Sequence, residues 1–197
     1  MTASDQDPFP DVGMGAKPAL IILAGLAVTY VVAFLGLGVH TRGMMVEMAA
    51  SAILASALLA LSYTDLRTGF LLDALTLPLI LLGLGYAAWN GALLFSVAGA
   101  VVGYALIAGL AAYWRRARGY EGIGLGDAKL LAAGGAWVGL AGLPLLLLIA
   151  SGTGLVAALT VSKKARSAGE HVAIPFGPCL AIGTWIVWCG IETVLIL

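Results

Sequence analysis

Charge is scarce in this chain. Only 10% of its 197 residues are Asp, Glu, Lys or Arg, and the two signs cancel to a net charge of zero. No basic run is long enough to track a phosphate backbone, so nucleic acid is excluded as a partner. Cysteine and histidine are just as thin, with two of each. Cys179 and Cys189 share one apolar run ten positions apart, too far along a helix to bridge each other and not at zinc spacing. His40 and His171 have no partner at metal-ligand spacing either, so neither a metal nor a cofactor is expected. The N-terminus lacks the basic start and cleavage site of a signal peptide, so its first apolar run is expected to be retained. There is no internal repeat and no hydrophilic stretch large enough for a second domain.

What the chain has instead is apolar length. Hydrophobic residues make up 61% of it, and the mean hydropathy is +1.05. The fold class this predicts is all-α, a polytopic transmembrane helix bundle of six or seven spans. Residues 1–17, with Asp5, Asp7, Asp11, Pro8 and Pro10, read as a disordered cytoplasmic tail, and residues 18–197 as one transmembrane domain. Helices are expected at 18–39, 44–64, 70–89, 92–114, 127–142, 144–162 and 174–197. The fifth is the weakest by propensity because of Gly134, Gly135 and Gly139, which would also let neighbouring helices approach closely.

Seven spans assign a side to every loop. Lys17, Arg67, Arg115, Arg116, Arg118, Lys129, Lys163, Lys164 and Arg166 then fall on one side, and Arg42 alone on the other. The positive-inside rule makes the crowded side cytoplasmic, with the N-terminus inside, as for a multi-pass protein of the cell inner membrane. Membrane lipid is one partner this implies, through the basic clusters.

Within this frame two acids stand out. Asp127 follows Gly122-Ile123-Gly124-Leu125-Gly126 and opens the Ala- and Leu-rich stretch that runs through Val138. It sits where a helix begins, and helix N-termini favour negative charge. On its own this is also what a simple helix cap at the membrane surface looks like. Asp65 lies at the cytoplasmic end of the second span, in Ser62-Tyr63-Thr64-Asp65-Leu66-Arg67. The topology thus puts both acids at similar depth on one face. Two carboxyls sharing a partly dry site cannot both ionise cheaply, so one keeps a proton and the other acts as base, as in aspartic proteases. By helix ends alone, Asp65 at a C-terminus is expected to hold the proton and Asp127 to be ionised.

Asp65-Leu66-Arg67 with Leu75-Thr76-Leu77-Pro78, and Glu121-Gly122-Ile123-Gly124-Leu125-Gly126-Asp127-Ala128-Lys129-Leu130-Leu131, resemble the type IV prepilin peptidases, membrane aspartyl proteases of the GxGD class. Gly135-Ala136-Trp137-Val138-Gly139 and Pro175-Phe176-Gly177-Pro178 are similar to theirs too. The resemblance spans about residues 50 to 190. It implies Asp65 and Asp127 as the catalytic pair, with Gly124, Gly126, Lys129 and Asp73 in support. It further implies a prepilin or pseudopilin substrate with an apolar N-terminal helix, cut on the cytoplasmic face. The proline that the family often carries after the first aspartate is missing from Leu71-Leu72-Asp73. The zinc-binding cysteine pairs of its methyltransferase segment are missing as well, so the expectation is a short form with peptidase activity alone.

The supporting residues have simpler readings. Asp73 is a helix-start acid, and Lys129 a side chain reaching for the headgroups. Pro175 and Pro178 open the last helix, with Gly177 allowing close backbone approach. The three alternating glycines lack the flanking strand of a dinucleotide loop. Two other functions compete. A small proton-coupled transporter would place its acids near the midplane in repeated broken helices. A non-catalytic assembly scaffold would tolerate replacement of Asp127.

Overall fold

Glycines set the limits of most of the described helices. The computed structural model describes residues 42–118, 124–166 and 175–195, with side chains at 46–117, 124–159 and 175–190. The helix expected at 18–39 and the tail before it lie outside the described residues. Among the described residues the helices in chain order are α1 (Arg42–Thr68), α2 (Asp73–Trp89), α3 (Leu93–Arg118), α4 (Leu125–Arg166) and α5 (Gly177–Leu195). No strand occurs among the described residues.

Gly69 ends α1 in the left-handed region at φ 66°, and its N–H donates to the Asp65 carbonyl at 2.9 Å. This glycine cap satisfies a carbonyl that the helix end leaves over. The helix therefore runs beyond the expected boundary at residue 64, and Asp65 lies inside its last turn. α2 closes in the same way. Gly91 at φ 73° donates to the Ala88 carbonyl, and Ala92 donates back to Ala87 at 2.8 Å. Two residues of turn then deliver the chain into α3.

The largest departure from expectation lies in α4. Its break falls at Gly139 (φ 70°, ψ 177°), not at Gly142-Leu143-Pro144. Residues 134 and 146 would stand about 18 Å apart on a straight helix. A Cβ built on Gly134 instead comes within 2.9 Å of Leu146 Cδ1. The chain therefore doubles back at Gly139, and the two helices expected here form a hairpin.

The first arm of that hairpin is the centre of the bundle. Every residue from 131 to 138 is buried, which is the pattern of a helix surrounded on all sides. α4 packs against α2, α3 and α5, and α1 packs against α5 and α2. The arm weakest by propensity holds this place because its small residues admit backbones. Gly99 and Gly103 of α3 face Gly135 and Leu131 of α4, so close that a Cβ at Gly103 would meet the Leu131 carbonyl at 2.8 Å. Gly99, Gly103 and Gly135 thus act as a small-residue crossing, as the glycine content predicts.

The outer faces are apolar. Leu94, Phe95 and Val101 of α3 and Leu148 and Leu155 of α4 are exposed. Val46–Thr68 and Leu93–Ala117 are long and apolar enough to cross a membrane, and Leu125–Leu159 is equally apolar but folds back on itself at Gly139. Exposed apolar surface of this extent suits lipid better than water.

Candidate active site

Chain reversals at Gly91 and Gly139 bring the C-terminus of α1 and the N-termini of α2, α4 and α5 to one end of the bundle. The polar residues of interest gather there. Asp65 is buried, with 6% of its surface exposed. Its Oδ2 accepts the backbone N–H of Gly177 at 2.9 Å. Gly177 is the first residue of α5, so the carboxyl of one helix faces the N-terminus of another. Glycine is required at that point, because a Cβ on residue 177 would stand 2.5 Å from Oδ2 and 2.9 Å from Cγ.

This arrangement adds a second helix end to the argument for Asp65. Its side chain does not see only the C-terminus of its own helix. It also meets the opposite dipole end of α5 and an N–H donor. The two ends oppose each other, so helix-end position alone does not assign a proton to Asp65.

Asp127 lies in the first turn of α4, where its backbone N–H donates to the Gly124 carbonyl at 3.2 Å. Its carboxyl is within electrostatic range of Asp65. The Cys179 thiol, in the first turn of α5, is within range of both acids and contacts the Thr153 hydroxyl. Cys179 and Cys189 are free thiols. Cys179 fits the reading of a small core residue by its burial, but its place beside the two acids was missed. The signal for it was its position directly after Pro175-Phe176-Gly177-Pro178.

The supporting residues fall into two groups. Gly124 is exposed with open space around it. Gly126 is packed under the loop that follows α1, where a Cβ would come within 3.1 Å of Leu71 Cβ. Asp73 opens α2 as expected, without a side-chain cap bond. Lys129 does not reach alone for headgroups, because its Nζ donates to Asp73 Oδ1 at 2.6 Å and to Oδ2 at 2.7 Å. That pairing corrects the separate readings of the two residues. Arg67 lies over the Tyr63 ring, 5.2 Å from its centre.

Fold and site together define a class: an all-helical membrane bundle with two carboxyls brought together at one end. The chain belongs to the type IV leader peptidase family, which matches residues 52–159. A prepilin leader peptidase/N-methyltransferase of Burkholderia pseudomallei (strain K96243) is 45% identical over 132 residues, covering 66% of this chain and 42% of that protein. The protein of the same name from Neisseria gonorrhoeae is 42% identical over 144 residues, covering 72% and 49%. The one from Stutzerimonas stutzeri is 38% identical over 173 residues, covering 86% and 56%. The chain thus spans about half the length of the curated relatives it matches. No solved structure matches it. Family and apolar helices together make it a membrane protein.

Proposed function

We propose that this chain is a membrane aspartyl endopeptidase that removes the leader peptide of type IV prepilins or pseudopilins at the cytoplasmic membrane face. Asp65 and Asp127 are the catalytic pair. One, ionised, takes a proton from water, and the resulting hydroxide adds to the scissile carbonyl. The other, protonated, hydrogen-bonds the oxyanion. Collapse of the tetrahedral intermediate breaks the C–N bond, and a proton passes from the pair to the leaving amine. Acid–base help of this kind contributes roughly 10²–10⁴-fold, so fixed donors and positioning supply the rest.

The observation that carries the reading is the placement of Asp65, buried and held by the Gly177 N–H, within electrostatic range of Asp127 at the start of α4. The family match supports the peptidase part of the relatives' names. Site position supports the substrate class. The first arm of α4, residues 125–138, rises only about 21 Å, against a hydrocarbon core of about 30 Å. With its Gly139 end toward the far leaflet, so short an arm would leave the acids slightly below the headgroups, close to where a substrate anchored by its own apolar helix presents the bond next to that anchor. The basic residues support an inner-membrane protein with a cytoplasmic N-terminus.

The test is co-expression with a prepilin and a gel for leader loss. Asp65→Asn and Asp127→Asn should each abolish processing while the protein stays folded in the membrane. Full processing by either variant would remove the dyad.

A further inference from the structure

We propose that Asp73 and Lys129 form a positioning pair that sets the spacing of the two aspartates, an inference that rests on the reading of Asp65 and Asp127 as the catalytic pair. The acids belong to helices joined by no short connection. Asp65 is at the end of α1 and Asp127 at the start of α4. What links those ends is the segment after Asp65, Gly69 to Asp73, which lies on the first turn of α4 and touches it at two places. Leu71 packs on Gly126 so closely that an added Cβ there would come within 3.1 Å of Leu71 Cβ. Asp73 takes Lys129 Nζ on both carboxylate oxygens, at 2.6 and 2.7 Å. Gly126 and Lys129 bracket Asp127 in sequence. The α1–α2 connection therefore grips α4 on both sides of the residue whose carboxyl must meet Asp65.

The ion pair is poorly placed to serve stability. Its side chains are 57% exposed at Asp73 and 31% at Lys129, and exposed pairs add little to folding. Its two-point contact does fix geometry, which a single contact at Leu71 would leave free to pivot. Reaction rates are steep in such geometry, since a displacement near 1 Å can lower a rate by about 10²-fold. Neither residue touches the reacting atoms in this account. They act through the position of Asp127.

The test measures kcat and KM for leader removal by the full chain in lipid vesicles, together with the thermal midpoint. Asp73→Asn and Lys129→Gln should each lower kcat by about tenfold, with KM and the midpoint little changed. The double variant should be no worse than either single one, because both remove the same contact. Lys129→Arg, which still bridges two carboxylate oxygens, should keep kcat, and the exchange D73K/K129D should recover most of it. Wild-type kcat in both single variants, with Asp65→Asn inactive, would overturn the inference and leave the dyad standing. Losses that multiply in the double variant, or that follow a matching fall in thermal midpoint, would overturn it too. Processing by Asp65→Asn would remove the dyad, and the pair's role with it.

Discussion

Gly177 donates its backbone N–H to Asp65 Oδ2 across 112 residues of chain, at 2.9 Å. The contact joins the last turn of α1 to the first residue of α5, and it leaves no room for a side chain at 177. Alanine there would put a methyl 2.5 Å from Oδ2, so the carboxyl must move or α5 must retreat. Gly177→Ala is expected to lower processing by about 10²-fold or more, while the protein still inserts. A leader-cleavage assay on membranes containing equal amounts of both proteins checks this.

Gly139 offers a separate test of the hairpin in α4. Its φ of 70° with ψ of 177° lies in a region open essentially to glycine alone. Space is not the constraint, since an added Cβ would find its nearest neighbour at 3.9 Å. Gly139→Ala should therefore destabilise by about 1–3 kcal/mol through backbone strain alone. Thermal unfolding in detergent, followed by circular dichroism, should show the lowered midpoint.

The hairpin also shows where sequence reasoning reached and where it stopped. Two helices between 127 and 162 were legible, because glycine and proline interrupt an apolar run too long for one span. The break was misplaced because Pro144 looked like the stronger breaker. Proline near the start of a new helix costs little, since few backbone donors there have partners to lose. Asp127 was legible from the switch between glycines and Ala-Leu sequence, and Gly177 from its neighbouring prolines. The Asp73–Lys129 bond was not. The two residues are 56 positions apart, and topology gave only their shared side of the membrane. Nor could it show that Asp65 faces α5, because the packing partner of α1 is set by side-chain fit rather than by chain order.

The crossing of α3 and α4 should respond to volume far more than to polarity. A Cβ at Gly135 would meet the Gly99 backbone, and one at Gly99 would meet the Gly135 carbonyl. Neither neighbour is a flexible side-chain tip. Gly135→Ala and Gly99→Ala should thus each destabilise by about 1–3 kcal/mol or more. Gly109→Ala, in α3 with nothing within 4 Å, should instead be neutral or stabilise by about 0.4–1 kcal/mol. Opposite shifts of the thermal midpoint in one helix would separate crowding from helix propensity.

Trp137 ties the central arm to α2 at a depth the acids do not reach. Its indole Nε1 donates to the Leu79 carbonyl at 2.9 Å in a buried setting. Gly83 makes the notch for it, since a Cβ there would meet Trp137 Cδ1 at 2.7 Å. The ring then stacks on Tyr86 with centres 6.0 Å apart and meets Trp188 edge-on at 5.2 Å. Trp188 in turn donates to Ser51 Oγ of α1 at 2.9 Å, so one aromatic group touches α1, α2, α4 and α5. Trp137→Phe keeps an aromatic ring but removes the indole donor. It should cost about 1–3 kcal/mol for the lost buried bond. Because this group holds the helices that carry Asp65, Asp127 and Gly177, the thermal midpoint should fall while kcat at low temperature stays near that of the parent. A large loss of kcat with an unchanged midpoint would mean that the aromatic group acts on the acids directly and is not scaffold alone.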